Sequence, residues 1–577
     1  MGGDLAGRHH VCSRRCAHGF LPPFRRSAEP AYGHARRRRP RAGPRGRQLV
    51  GGIGRSGRRT APQPGCAHRA VGRPRTVDRG DLRHRTARSR DRRALPGSRR
   101  PSRRADGAAH RVGRGGRTQP DHRARRGGAG ADVDERTVSD RGVRSAADHR
   151  AGHRRNCIDN RLDQHVVRAT PDGQHVTARL LVRGGHVFDP IGGTAGPADV
   201  VVEGARIVDV GVGLDGDTAI DATGRLVVPG FIDCHVHVLL DDVDTLRLLQ
   251  TPLSLRFFQA ARNLRLTLRA GVTTIRDAAG ADLGVKQALA AGLIDGPDMQ
   301  IAIGMLSQTG GHGDEWLPTG ECVHALWPPY PGRPSTVVDG VDEMRRAVRE
   351  LVRAGADVIK VATTGGVISP RSDPRRAQLA EEELAVMMAE ARAAHLHVMA
   401  HAQGAQGVKN AVRAGVRSIE HGVYLDDEAV DMMVKNGTWL VPTLSAPHAI
   451  LRQADTSGGI ADSTREKAAA ALEAHEASVR LAHAAGVRIA MGTDAGISRH
   501  GENLRELELM NRLGISAVDA LRAASTAAAE LLDAGADIGE LCPGKRADMV
   551  ILEGPEISVE QLPERVRTVI HRGTVVA

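Results

Sequence analysis

The chain has 577 residues, with 82 Lys plus Arg against 67 Asp plus Glu and a formal net charge of +15. That average conceals two compositions: residues 1–170 hold 43 Arg, no Lys and 14 acidic residues, while residues 171–577 hold 39 basic and 53 acidic ones. The length excludes a single minimal module, no apolar run is long enough for a spanning helix, and the basic first segment is the one natural place for a nucleic-acid partner.

Residues 1–175 are dense in Arg, Gly, Pro, His and Ala, and include the run Arg36 to Arg39. They lack the apolar periodicity needed to offset chain entropy, so disorder is expected. An Arg-rich tail binds phosphates, which makes nucleic-acid binding an alternative of another class, although aromatic residues for base stacking are almost absent. A secretory signal would need an apolar stretch that is missing, and a transit peptide is much shorter. The leading reading is a mis-assigned start: a GC-rich gene read in a wrong frame or upstream of its true start yields such a composition. After Met1 the next methionine is Met299, so a start near Val176 would use a non-ATG codon. Four of the seven cysteines, Cys12, Cys16, Cys66 and Cys157, lie here, with no second close pair to complete a zinc site. A cytoplasmic location is the default expectation.

From Thr177 the texture changes. ARLLVRGGHVFDP, ADVVVEGARIVDVG and TAIDATGRLVVPG are short β-branched runs between Gly and Asp turns, which predict small antiparallel strands. ADMVILEG and VRTVIHRGTVVA resume the pattern at the other end, so residues 176–232 and 546–577 are expected to build one β-sandwich. Between them, in 233–545, strand-like runs at 226–238, 271–279, 298–306, 356–364, 395–403, 418–424, 438–445 and 488–496 alternate with helical stretches such as VDEMRRAVRELVRAGA and AEEELAVMMAEARAAH. Eight strand-helix units predict an α/β fold, a (β/α)8 TIM barrel. The loop 307–338 is too long for a mere connection.

Polar residues close several of these runs, at the strand ends where barrel enzymes place their chemistry. His235 and His237 in FIDCHVHV share one strand face, the start of a zinc-type site, with Asp233 as a support. Lys360 sits among Val358, Ile359 and Val361, where a buried ammonium is costly. A lysine there escapes the cost by losing its proton and reacting with CO₂, giving a carbamate able to bridge two metals. His401 and His421 would complete a second metal site, and Asp494 in GTDAG is placed to bind metal and take the proton of a bridging water.

Residues 177–577 resemble the amidohydrolase superfamily, in the branch joining imidazolonepropionase-like proteins with Xaa-Pro dipeptidases, through PGFIDCHVHV, GVTTIRDAAG, TGGHGD, DVIKVATTGG, HAQG, SIEHGVYLDD, GTDAG and PGKRADMVIL. The resemblance implies a binuclear zinc hydrolase: His235 and His237 on one ion, His401 and His421 on the other, carboxylated Lys360 between, and Asp494 as ligand and acid/base. It also implies a substrate contact for His312 in TGGHGD. Tyr424 is a candidate for a substrate carboxylate or carbonyl, and Arg276 and Arg499 are weaker ones. The expected reaction is attack by a metal-bridged hydroxide on the C–N bond of a dipeptide or N-acyl amino acid. The alternative is a mononuclear, imidazolonepropionase-like cyclic-amide hydrolase or deaminase. Other divalent metals, and a homo-oligomer, stay open. Gly539 to Lys545 imitates a phosphate-binding loop, but Arg546 stands where Ser or Thr is required.

Overall fold

The computed structural model describes residues 167–169 and 175–577, apart from 242, 318, 370–371 and 457–461. The expectations for 1–175, disorder, a mis-assigned start and nucleic-acid binding, fall almost wholly outside the described residues. At its edge Val167–Ala169 pairs antiparallel with His175–Thr177. Among the described residues no helix is long and apolar enough to cross a membrane.

The β-branched runs at the two ends of residues 176–577 form one hydrogen-bonded path. Its order is Thr574–Val575, Val566–His571, Met549–Glu553, Arg225–Pro229, Arg179–Asp189, Thr194–Glu203 and Arg206–Gly211, with Thr218–Asp221 added beside Arg179–Asp189. Arg179–Asp189 pairs in parallel with both Thr218–Asp221 and Arg225–Pro229, so the expected purely antiparallel arrangement does not hold there. Alternate residues such as Val200, Val202, Val227, Met549 and Ile551 bury together in a core separate from the main one.

The run 226–238, expected as one strand, is two. Arg225–Pro229 belongs to the mixed sheet and Phe231–Val236 to a parallel one. Gly230 is the hinge between them, and close packing requires it: a Cβ there would lie 2.3 Å from Thr273 Oγ1.

Parallel strands occupy the middle of the chain in two sheets. One holds Phe231–Val236, Val272–Asp277 and Asp298–Ile301. The other holds Met305–Leu306, Val358–Ala362, His397–Gly404, Ser418–Tyr424 and Trp439–Val441. The run 298–306 feeds both sheets, broken where Ile303 adopts a left-handed φ of 67°. Residues 488–496 form no regular strand, since Asp494 and Gly496 take left-handed φ, yet they span the gap. Leu440 N donates to Arg488 O at 2.8 Å on one side, and Cys234 N donates to Met491 O at 2.9 Å on the other.

The helices between the strands follow from apolar spacing. Gly340–Arg353 buries Met344, Ala347, Val348 and Leu351, a three-and-four pattern that presents one stripe to the core. Glu381–Ala393 buries Leu384, Met387, Met388 and Ala391 by the same rule. The phosphate-loop imitation is a turn. Gly544 N donates to Ile207 O at 2.8 Å, tying the chain back to the mixed sheet.

Candidate metal centre

The carboxyl ends of the parallel strands open into a cavity lined by His235, His237, His312, Lys360, His401, His421 and Asp494. Tyr424 is not among its lining residues. It stands in a neighbouring depression with Ser372, Asp373 and Lys467, and the Arg375 guanidinium lies 4.2 Å from its ring centroid. Arg499 is exposed. Arg276 is buried, where it serves the protein rather than a ligand: its Nε donates to Cys234 O at 2.7 Å and its guanidinium meets Glu420 at 3.1 Å.

The hydrogen bonds of the imidazoles fix which nitrogens are left over. His235 Nδ1 lies 2.7 Å from Glu420 Oε2, His237 Nδ1 donates to Ala279 O at 2.8 Å, and His421 Nδ1 lies 2.7 Å from Thr443 Oγ1. His401 donates from Nε2 to Gly365 O at 3.1 Å, leaving Nδ1. Each ring therefore keeps a free nitrogen, and orientation by a carboxylate, carbonyl or hydroxyl is what metal-bound histidines show. The rings crowd together, with centroids 5.1 Å apart for His235 and His421 and 4.6 Å for His401 and His421.

Asp494 faces this group. Its Oδ1 lies 3.2 Å from His237 Nε2 and 3.6 Å from His235 Nε2 and accepts no hydrogen bond. Because His237 Nδ1 already carries the proton given to Ala279, two lone pairs oppose each other across 3.2 Å unless a cation, a proton or a metal, lies between. Burial works against the imidazolium of His237, but Asp494 overcomes it and holds the group above its usual range. Burial would likewise raise the Asp494 carboxyl, and the neighbouring histidines and Lys360 bring it down instead. Burial, helped by Lys360, keeps His235 well below the usual histidine value. Lys360 Nζ is buried with no partner, and burial pulls the ammonium down to about 8. The ligand atoms of His235, His421 and Asp494 lie within 4.8 Å of one another. A set of free imidazole nitrogens, an orphaned carboxylate oxygen and an orphaned amine fits a divalent metal.

Local backbone geometry aims these groups. His421 and Asp494 both have left-handed φ, 73° and 55°. Such a conformation costs on the order of 1–3 kcal/mol and persists only where the surroundings enforce it. Asp494 is enforced by its N–H to His235 O at 2.8 Å and by the preceding Thr493, whose hydroxyl donates to Asp233 Oδ2 at 2.6 Å. Asn503 donates to the same Asp233 oxygen at 2.8 Å, so Asp233 is a support as expected. Burial lifts its carboxyl to about 6. His475 Nε2 donates to His421 O at 2.9 Å.

His312 stacks on His401 with ring centroids 4.2 Å apart. Its Nδ1 donates to Ser369 Oγ at 2.7 Å, which leaves Nε2 free. Gly366 makes this possible, since a Cβ there would lie 2.1 Å from His312 Cε1. Sequence reasoning missed Glu420, Thr443, Gln403 and His475. Glu420 carried a signal, being a carboxylate inside the buried strand Ser418–Tyr424, as Arg276 is a guanidinium inside the buried strand Val272–Asp277. Two opposite buried charges in one sheet system imply each other.

A parallel-stranded fold whose strand ends gather imidazoles, a lysine and a carboxylate defines a hydrolase of the metal-dependent kind, and comparison with known proteins agrees. The chain belongs to the amidohydrolase family, whose sequence profile matches residues 226–576, and falls in its prolidase-like branch. It is 36% identical over 356 residues to ochratoxinase of Aspergillus niger, covering 59% of this chain and 73% of that protein. A crystal structure of a Xaa-Pro dipeptidase with methionine in its active site superposes with a TM-score of 0.63 at 32% identity, over 69% of this chain and 99% of the other. A prolidase complexed with N-methylphosphonate-L-proline gives 0.62 at 35% identity, over the same shares. Membership implies a TIM barrel with a sandwich domain, divalent metal as the family's usual cofactor, and hydrolysis of carbon–nitrogen bonds of the amide or peptide type.

Proposed function

We propose that this protein hydrolyses the amide bond of a dipeptide or N-acyl amino acid at a binuclear centre, zinc foremost, within a closed (β/α)8 barrel. The observation that carries the reading is the buried, unpartnered Lys360 Nζ in the same cavity as the four candidate-ligand imidazoles and the unsatisfied Asp494 Oδ1. Closure of the barrel is supported by the bridges from Leu440 to Ile489 and from Val236 to Ala495. Residues 176–232 and 546–577 make the sandwich in this reading, and 233–545 the barrel.

His235 and His237 would hold one ion, His401 and His421 the other, with Lys360 as a carbamate between them. Such ions, when bound, lower the pKa of water and polarise a carbonyl. Asp494 takes the proton of the attacking water and delivers it to the departing nitrogen, a transfer its unencumbered Oδ1 is placed to make. Gln403 Oε1, buried and unpartnered in the same cavity, is free to accept the substrate N–H. His312 Nε2 meets the substrate on the His401 side. A second reading, the mononuclear cyclic-amide hydrolase or deaminase, draws on the tight grouping of His235, His421 and Asp494.

Elemental analysis of the purified chain and of Lys360→Ala decides between them. Two metals per chain, falling to one or fewer on substitution, are expected. One metal, indifferent to the substitution, selects the mononuclear reading.

A further inference from the structure

One helix, Asp462–Ala484, holds two separate parts of the candidate centre. Its His475 Nε2 donates to His421 O at 2.9 Å, and a turn further on Ser478 Oγ donates to Val423 O at 2.8 Å and accepts from Leu425 N at 3.0 Å. Two turns before His475, about 12 Å along the axis at 1.5 Å per residue, the half-buried Lys467 reaches the chain that follows the strand Val358–Ala362. Its Nζ donates to Ser369 O and to Ser372 O, each at 2.8 Å. An ammonium shared by two carbonyls fixes the backbone there directly, through hydrogen bonds that its charge strengthens.

The backbone that Lys467 holds is the one that orients two imidazoles. Gly365 O takes the Nε2 proton of His401 at 3.1 Å, and that bond is what leaves Nδ1 for a metal. Ser369 Oγ meets His312 twice, accepting from Nδ1 at 2.7 Å and donating to His312 O at 2.7 Å. Ser372 Oγ accepts from Gly366 N at 3.1 Å, so both residues held by Lys467 are tied to the groups beside the rings. The fit leaves no slack: a Cβ on Gly366 would lie 2.1 Å from His312 Cε1, and one on Gly365 would lie 2.3 Å from Asp373 O. A shift of the backbone at Ser369 and Ser372 is therefore passed to Gly365 and Gly366, and from them to both rings. Lys467 itself stands outside the cavity, in the neighbouring depression.

We propose that Lys467 is a positioning residue for this centre: by clamping the carbonyls of Ser369 and Ser372 it sets Gly365 O against His401 and Ser369 Oγ against His312, and so governs metal affinity and substrate binding together. The helix Asp462–Ala484 then braces both sides of the site, His421 through His475 and His401 through Lys467. The proposal rests on the metal-hydrolase reading above, in which His401 binds metal and His312 meets the substrate. Loss of a partner that orients a metal-bound histidine costs about 10–100-fold in affinity. Lys467 acts one step beyond such a partner, so the lower end of that range applies.

The test measures zinc affinity, by competition with a chelator, and kcat and KM on the best substrate of a panel of dipeptides and N-acetyl amino acids, all in the full chain. In Lys467→Met zinc affinity should fall about tenfold and KM should rise about tenfold. Lys467→Arg, whose guanidinium has N–H groups for both carbonyls, should recover each to within about threefold. Ser369→Ala removes the hydroxyl from His312 but leaves the clamp, and should raise KM alone. Lys467→Gln is read by the same criteria if the methionine variant does not fold. A Lys467→Met protein that melts earlier but keeps its zinc affinity and KM would overturn the proposal. So would an arginine variant no better than the methionine one, or a loss of zinc affinity in Ser369→Ala equal to that in Lys467→Met. A parent chain that binds zinc but hydrolyses no member of the panel would sink the amide-hydrolase reading, and zinc affinity would still judge Lys467. A parent chain that binds no zinc would overturn both.

Discussion

Among the described residues two clusters, one buried and one half-buried, offer histidine and carboxylate atoms within 4.8 Å of one another, and they differ in whether those atoms are already satisfied. One is His235, His421 and Asp494; the other is Asp298, Asp548 and His571. In the second, Arg546 meets Asp298 at 2.8 Å and Asp548 at 2.5 Å, His571 Nδ1 lies 3.1 Å from Asp548, and Arg572 pairs with Asp298 and donates its N–H to Asp548 at 2.7 Å. Burial would raise the Asp548 carboxyl, but His571 and Arg546 draw it below its usual range. Two guanidinium groups do there what a metal would do, and they clamp the mixed sheet to the strand Asp298–Ile301. At the strand ends, by contrast, Asp494 Oδ1 and Lys360 Nζ have no hydrogen-bond partner. Ligand geometry alone does not mark a metal site; unanswered buried valence does.

Asp494→Asn should break the contrast most severely. The amide keeps one oxygen for a metal but cannot carry the proton, so turnover should fall by about 10²–10⁴ with metal content near normal, checked by initial rates and elemental analysis. An active variant would refute the role assigned to Asp494. Arg546→Ala attacks the other cluster. Asp298 and Asp548 lose their main countercharge, and denaturant unfolding should show a loss near the lower end of ~3–5 kcal/mol, since Asp298 keeps 29% of its side chain exposed. Activity per folded molecule should not change. Zinc that restored the lost stability would mean the cluster is a metal site after all.

Glu420→Gln tests whether the first cluster is built as a metal-binding one. Glu420 takes His235 Nδ1 on one oxygen and Arg276 and Ser418 on the other, at 3.1 and 2.5 Å. Neutralising it should weaken metal affinity about 10–100-fold, read by competition with a chelator. Unchanged affinity would reduce Glu420 to a partner for Arg276.

What could be read in the sequence follows the same division. The six candidate ligands were legible because each interrupts an apolar run, and the helices because their apolar spacing is regular. Residues 226–238 looked like one strand because hydropathy does not register a change of sheet; only the crowding of Gly230 against Thr273 does. The run 488–496 looked regular because left-handed φ at Asp494 leaves no trace in an apolar pattern. Arg276 reads as a ligand-binding candidate in the sequence because its partner, Glu420, is distant along the chain. Asp298 gives no such signal because its answering arginines, Arg546 and Arg572, lie far away in sequence.

Glu506 sharpens the comparison with a third way of treating a buried carboxylate, neutral donors and no countercharge. It accepts from Leu444 N at 2.7 Å, Ser445 N at 2.8 Å and Ser445 Oγ at 2.7 Å, holding the start of the helix that supplies Ala446 and Ile450 to the cavity. Burial outweighs these donors and pushes the carboxyl up to about 8. A raised acid favours the folded state fully below its unfolded value, near 4.5, and that contribution fades as pH climbs to 8. Across that window stability should decline by about 1.4 kcal/mol per pH unit from this group, and Glu506→Gln, which cannot ionise, should flatten the decline. Unfolding free energies at pH 5, 6, 7 and 8 for both proteins would show it. Parallel profiles would mean that Glu506 stays ionised in the folded protein, and that its three donors suffice where Asp298 and Asp548 have needed arginine.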